Sequence, residues 1–338
     1  MKNLKTALLS ALLALVFAFN VSAQSAPKIS DIDRIRLAEA FRLADFLDDK
    51  MWKDWSKTPF SVLLITPENE FLIRHSKPSG DFASIGYDSL LKSEVYFRKR
   101  TMNPAFLATF PFNGVPTVVV GQAENTMAKT STRWVVTLLH EHFHQLQNSQ
   151  PNYFGDVEAL NLSGADKTGM WMLNYAFPYS EAEIKGQFNV LSRMLAEVLQ
   201  TKQKREFSTK LKVYRAERDK LEKMLKPADY KYFSFQLWQE GIARYTEYRV
   251  AELAAQKFKP GKEFEALNDF KPFRQVADEA FENIIKELTT LELGNYQRVA
   301  FYPIGAGEGL LLDRANPNWK NGYFKDKFYL DKYFKTEN

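Results

Sequence analysis

Cysteine is absent from this 338-residue chain, and histidine occurs only four times. The first absence removes disulfide frameworks, Cys-ligated zinc ribbons, iron–sulfur clusters and thiol nucleophiles together. Any transition metal held by side chains must therefore draw on imidazole and carboxylate. Neither sign of charge dominates, with 46 Lys+Arg against 41 Asp+Glu and a net +5. Nucleic-acid binding would require a larger and more clustered basic excess, so no nucleic-acid partner is expected. Beyond the N-terminus no apolar run reaches the ~18 residues of a membrane span. What the chain does contain is apolar mass: 45% hydrophobic residues, with 27 Phe, 15 Tyr and 6 Trp. That is globular composition, enough for one or two domains with a large core.

The N-terminus reads as an export signal. Lys2 and Lys5 precede an apolar run from Ala7 to Phe19, interrupted only by Ser10, and Val21-Ser22-Ala23 leads to a cut before Gln24. The run is too short to span a bilayer comfortably and has the layout of a secretory leader over residues 1–23. No cysteine follows it for lipid attachment. Losing the two lysines takes the net charge from +5 to +3. A secreted or periplasmic location is expected, with no membrane span after cleavage.

Hydrophobic periodicity then divides the chain. Ser30–Trp55 reads as a helix with Ser30 and Asp31 as cap candidates. Four short β-rich runs follow at 60–65, 71–74, 94–97 and 115–120, and predict a small antiparallel or mixed sheet. From Ser131 the pattern turns helical: 132–147, a charged stretch from 181 to about 225 read as a long helix or hairpin with a solvated face, 234–258 and 264–291. The expected fold is α+β. A helix-plus-sheet subdomain over 24–130 precedes a mainly helical catalytic subdomain over 131–338, with a helical insertion at about 152–232.

Three of the four histidines lie within His140-Glu141-His142-Phe143-His144. His140, Glu141 and His144 form H-E-x-x-H, and on a helix positions i and i+4 share one face. Two neutral imidazoles so placed suit Zn²⁺, leaving room for a third protein ligand and a water. Glu141, one residue past the first imidazole, can reach that water and accept its proton. His142 lies about 200° around the helix from His140, at 100° per residue, and is read as packed or surface-exposed. His75, ending a strand, is read as structural. The metzincin continuation would need Gly at 147 and His at 150; Gln147 and Gln150 stand there.

The run Leu237-Trp238-Gln239-Glu240-Gly241-Ile242-Ala243-Arg244-Tyr245-Thr246-Glu247 resembles the second motif helix of gluzincin metallopeptidases, E-G-x-A-x-Y-x-E after a Trp. The resemblance implies that Glu240 is the third zinc ligand, and a zincin-like catalytic fold. Gly241 and Ala243 would let this helix pack closely on the first. Arg244 and Glu247 are either support for the ligands or surface charge. Gluzincins usually separate the two motifs by about twenty residues; here 240 − 144 − 1 leaves 95. An inserted helical segment accounts for the gap, with Glu158, Glu181 and Glu183 as rival ligands.

Upstream, Gly121-Gln122-Ala123-Glu124-Asn125 is similar to the G-x-M-E-N element of the aminopeptidase N branch, which implies that Glu124 binds a substrate's amino terminus; turn chemistry alone also explains it. The strand 115–121 is placed to pair with an extended peptide. The resemblance further implies an oxyanion donor downstream, for which Tyr302, ahead of a Gly-rich turn, is the candidate; the alternative is a core tyrosine beside packing glycines. The aromatic tail from Trp319 to Lys335 reads as a terminal helix docked on the body. The expectation is an exported zinc metallopeptidase acting on a peptide or protein substrate. The alternatives are a non-catalytic binding protein on a peptidase fold, or a zinc hydrolase of non-peptide amides or esters.

Overall fold

The computed structural model describes residues 27–334; the proposed leader and the last four residues lie outside the described residues. The fold is mixed α+β. Six strands, β1 Val62–Ile65, β2 Asn69–Ile73, β3 Ala83–Asp88, β4 Ser93–Lys99, β5 Leu107–Phe112 and β6 Val115–Gly121, form one sheet in the order β3-β4-β2-β1-β6-β5. Only β1 and β6 pair in parallel, with Val62 opposite Val118. Strand β1 and the 118–120 stretch of β6 read as apolar runs because both sheet faces are covered at the centre. Val62, Leu64, Val118 and Val120 face the helices. Leu63, Ile65 and Val119 face a smaller cluster under Phe82.

Strands β3 and β5 were not expected from the sequence. Strand β3 has no fully buried residue, so it lacks an apolar signature. Strand β5 carries Pro111, which cannot donate to a ladder and so belongs at an edge; it pairs with β6 across Pro116. A two-residue turn, Asn113-Gly114, joins them with φ +46° and +76°, as a type I′ hairpin requires. This arrangement corrects one expectation. Strand β6 is flanked by β1 and β5 on its two sides and has no free edge; the edge next to the helices belongs to β5.

Helix α1 (Asp31–Leu47) starts at Ser30, whose side chain accepts a hydrogen bond from the Asp33 amide. It stops short of the expected Trp55 because Asp48 turns left-handed at φ +45°, while Trp52 and Trp55 fold back into the core. Helix α2 (Ser131–Asn148) is sandwiched between the sheet and the later helices, with every residue from Trp134 to Gln147 buried. Short helices α3 (Tyr153–Glu158) and α4 (Trp171–Asn174) lead to a hairpin of α5 (Ala182–Gln200) and α6 (Lys204–Met224). Helix α7 (Pro227–Gln236) passes through a π-turn, Leu237–Gly241, into α8 (Ile242–Lys257). Helices α9 (Lys262–Glu265), α10 (Phe273–Thr290), α11 (Leu293–Tyr296), α12 (Phe301–Ala315) and α13 (Lys320–Tyr323) complete the chain. One apolar core runs from the sheet through α2 to α12.

Two packing expectations change. The glycines after Tyr302 are not a turn; residues 301–315 are helical throughout. The helix beyond Gly241 packs on α2 as expected, but Gly241 itself is closest to α12. It meets Gly305 of α12, where a Cβ on Gly305 would lie 2.6 Å from the Leu237 carbonyl oxygen and 2.7 Å from the Gly241 Cα. The small pair thus sets how closely α12 approaches the π-turn. The tail does dock on the body, as short turns rather than one helix, with Trp319, Tyr323 and Phe328 buried.

Candidate metal centre

The i, i+4 spacing on α2 sets the His140 and His144 rings 5.0 Å apart between centroids. The π-turn brings Glu240 to them: Glu240 Oε2 lies 3.7 Å from His144 Nε2. Donor atoms of His140, His144 and Glu240 all fall within 4.8 Å of one another. A tetrahedral zinc with bonds of ~2.0–2.2 Å holds its ligand atoms ~3.4 Å apart, so small side-chain rotations would close the group on such an ion. Glu158, Glu181 and Glu183 do not join the group.

The two imidazoles are oriented from behind. His144 Nδ1 is 2.7 Å from Gln147 Oε1 and 3.2 Å from Gln239 Nε2. The shorter contact assigns the Nδ1 proton to the bond with Gln147, so Nε2 is the nitrogen that faces Glu240 and, when deprotonated, the one free to bind a metal. Gln147 is itself held, donating to the carbonyls of Trp238 and Gln239 and to Tyr323 Oη. Tyr153 Oη donates to Gln239 Oε1 at 2.8 Å. Behind His140, Glu247 Oε2 stands 3.4 Å from Nδ1, a nitrogen that is buried with no hydrogen bond of its own. A carboxylate in that position orients a metal-bound imidazole and raises its basicity. Of the two readings open for Glu247, support for a ligand is the one its placement favours, whereas Arg244 turns to Glu287 on α10 at 2.9 Å.

Glu141 is buried beneath β5. Thr109 Oγ1 on that strand lies 2.8 Å from Glu141 Oε2 and 2.9 Å from the Glu141 carbonyl oxygen, with one proton to serve either. Tyr302 opens α12 with its hydroxyl bonded by Arg298 one turn earlier. Burial, then the nearby Glu240 carboxylate, pushes that hydroxyl well above the usual tyrosine range.

Glu124 is not brought to this group. It pairs with Arg36 at 2.8 Å, and Arg36 in turn bonds Ser131, the first residue of α2. Ser131 is nine residues, about 13 Å of helix, before His140. His142 packs as a structural residue, stacked on Phe60 at 4.1 Å, and His75 caps the Phe112 carbonyl at 3.0 Å.

Sequence reasoning did not single out Gln147, Gln239, Tyr153, Thr109 or Arg298 as contributors. Two of these had a usable signal. Gln147 is three residues beyond His144 on the same helix, and Arg298 four before Tyr302.

The side chains of this group carry a charge signature of their own. Burial disfavours charge on both His144 and Glu240, yet the attraction between imidazolium and carboxylate outweighs it. His144 rises from 6.5 to about 9, and Glu240 falls from 4.5 to about 2. The histidine's contribution to stability is complete below pH 6.5 and lost as pH rises through about 9. The glutamate's is complete above pH 4.5 and lost as pH falls through about 2. Chelator-treated protein should therefore lose melting temperature between pH 6.5 and 9, read by thermal denaturation. A divalent metal, which needs the imidazole neutral, should remove that loss. An unchanged profile on adding metal would count against the site.

No protein-family profile, curated protein or solved structure matches this chain.

Proposed function

We propose that the chain is an exported zinc-dependent peptidase with a zincin-like catalytic arrangement similar to that of gluzincins. The observation that carries this reading is the convergence of Glu240 on His140 and His144 across 95 intervening residues, with Glu141 on the same helix. A chance H-E-x-x-H would have no reason to meet a distant carboxylate in a buried site. His₂Glu is a donor set that zinc accepts with a coordination position left open. When bound, zinc supplies Lewis acidity, lowering the pKa of water toward 7 and polarising a carbonyl.

The chain's own residues do the rest. Glu141, oriented by Thr109, accepts the proton of the attacking water and passes it to the leaving amine. Tyr302, with Arg298 on its hydroxyl, stands on the Glu240 side and donates to the developing oxyanion. Gln147 and Glu247 keep the two imidazoles in register. Strand β5 favours a peptide substrate: it is a sheet edge, free to pair with an extended backbone, and its Thr109 touches Glu141. Among the described residues no helix is long and apolar enough to cross a membrane. Metal analysis of the purified protein tests the centre, with about one zinc per chain expected. A chain that takes up no zinc overturns the reading.

A further inference from the structure

Glu240 reaches the candidate centre on an irregular piece of backbone. The π-turn Leu237–Gly241 is closed where the Ile242 N–H donates to the Leu237 carbonyl, five residues back. Such a turn is rare and holds one residue more than the regular α-helical repeat, so neighbouring packing has to keep it in place.

That packing comes from two sides. Toward α2, Gln147 Nε2 donates to the Trp238 and Gln239 carbonyls, both at 3.2 Å, and Tyr323 Oη donates to the Trp238 carbonyl at 2.6 Å. Toward α12, the Leu237 carbonyl oxygen that accepts the closing bond lies against Gly305. A Cβ at 305 would sit 2.6 Å from that oxygen, 2.7 Å from the Gly241 Cα and 3.0 Å from the Leu237 Cα. All three are backbone atoms, with no rotamer to yield. Glu240 stands between Gln239 and Gly241, so both clamps adjoin it.

Helix α12 is the firmer of the two partners. Glu308, three residues after Gly305, is buried and accepts from Arg218 at 2.8 Å and from Tyr214 at 2.7 Å. A side chain at 305 would therefore displace the π-turn rather than the helix. The turn would be driven toward α2, where Gln147 also bonds His144 Nδ1 at 2.7 Å. Glu240, whose Oε2 stands 3.7 Å from His144 Nε2, would move with it. Tyr302 precedes Gly305 by three residues on the same side of α12, so the same contact sets its hydroxyl against Glu240.

We propose that Gly305 is a positioning residue for the metal: lacking a side chain, it lets α12 hold the π-turn in register and so aims Glu240 at His140 and His144. The inference rests on the metal-centre reading above and is independent of which bond is hydrolysed.

The test compares two substitutions on one helix of the full chain. Gly305→Ala and Gly307→Ala add the same methyl and gain the same helix propensity. At 307 that methyl meets only the side chains of Leu195, at 2.8 Å, and Leu199, at 3.2 Å, which can turn aside. Zinc affinity is read by competition with a chromophoric chelator. Gly305→Ala should weaken it about ten- to a hundredfold, the usual effect of disturbing groups that orient a metal ligand. Gly307→Ala should bind zinc as wild type does. With Co²⁺ in place of zinc, the visible spectrum of Gly305→Ala should shift toward that of Glu240→Ala. In the Glu240→Ala background, Gly305→Ala should change zinc affinity by less than about twofold, because the ligand it acts through is gone. If circular dichroism shows Gly305→Ala unfolded, hydrogen exchange on the wild type decides. Zinc should then slow exchange at the Ile242 amide and across residues 305–309 together. Three results overturn the role of Gly305: zinc bound as tightly by Gly305→Ala as by Gly307→Ala, a loss that persists without Glu240, or protection that stops at the π-turn. A chain that takes up no zinc defeats the metal-centre reading and this proposal with it.

Discussion

Glu141→Gln should retain zinc and lose hydrolysis by about 10²–10⁴-fold in kcat, the usual contribution of a positioned general base. Glutamine is the informative replacement. It keeps the volume of the side chain and an oxygen to accept from Thr109, whose hydroxyl lies 2.8 Å from Glu141 Oε2. What it cannot do is accept a proton at neutral pH. The buried position would therefore stay packed, and the loss should appear in kcat with zinc stoichiometry and melting temperature near wild type. Activity within a few-fold of wild type would remove Glu141 from the proton-transfer role, whatever the metal content.

The largest stability effect is expected outside the candidate centre. Helix α6 was read as a solvated charged face, and most of it is one. Arg218 is the exception: it is buried, and its Nε donates to Glu308 Oε1 at 2.8 Å in the middle of α12. Tyr214 Oη donates to the same oxygen, and Arg218 Nη1 donates to Tyr230. Removing one member strands a charge in the core. Arg218→Met or Glu308→Leu alone should cost about 3–5 kcal/mol, measured by urea denaturation. The double variant should recover part of that loss, because the ion pair leaves the core as a unit, while Asp331, 3.8 Å from Arg218, and the Tyr214 hydroxyl each lose a partner. A single-variant cost below about 1 kcal/mol would mean that the pair is effectively hydrated. Since α12 also carries Tyr302 and Gly305, the single variants test whether the α6–α12 contact supports the candidate centre.

Sequence legibility followed burial contrast. Strands β1 and β6, helix α2 and the helices around Glu240 have apolar runs or stripes strong enough to read directly. Strand β3 lacked them, and β5 was hidden by Pro111, so the edge beside Glu141 was assigned to the wrong strand. The Gly305–Gly309 stretch was read as a turn because glycine is usually a breaker. Here the segment is helical throughout, and glycine stands at 305 because Leu237 and Gly241 leave no room for a side chain there. Arg298 reaches Tyr302 from the 3-10 turn Gln297–Ala300 that leads into α12, an element with no apolar signature of its own.

Taken alone, the sequence determined the chemistry on offer. With no cysteine and four histidines, a side-chain metal centre had to be completed by a carboxylate or a further histidine, and helical spacing put His140 and His144 on one face. These are local facts, set by covalent geometry and a 3.6-residue repeat. Which carboxylate completes the group is a long-range matter. Glu158, Glu181 and Glu183 were all nearer in sequence, and only the packing of the π-turn against α12 and α2 brings Glu240 within 3.7 Å of His144. The same holds for Thr109 over Glu141 and Glu247 behind His140. Such contacts depend on how apolar surfaces far apart in the chain bury one another, and no local repeat encodes that.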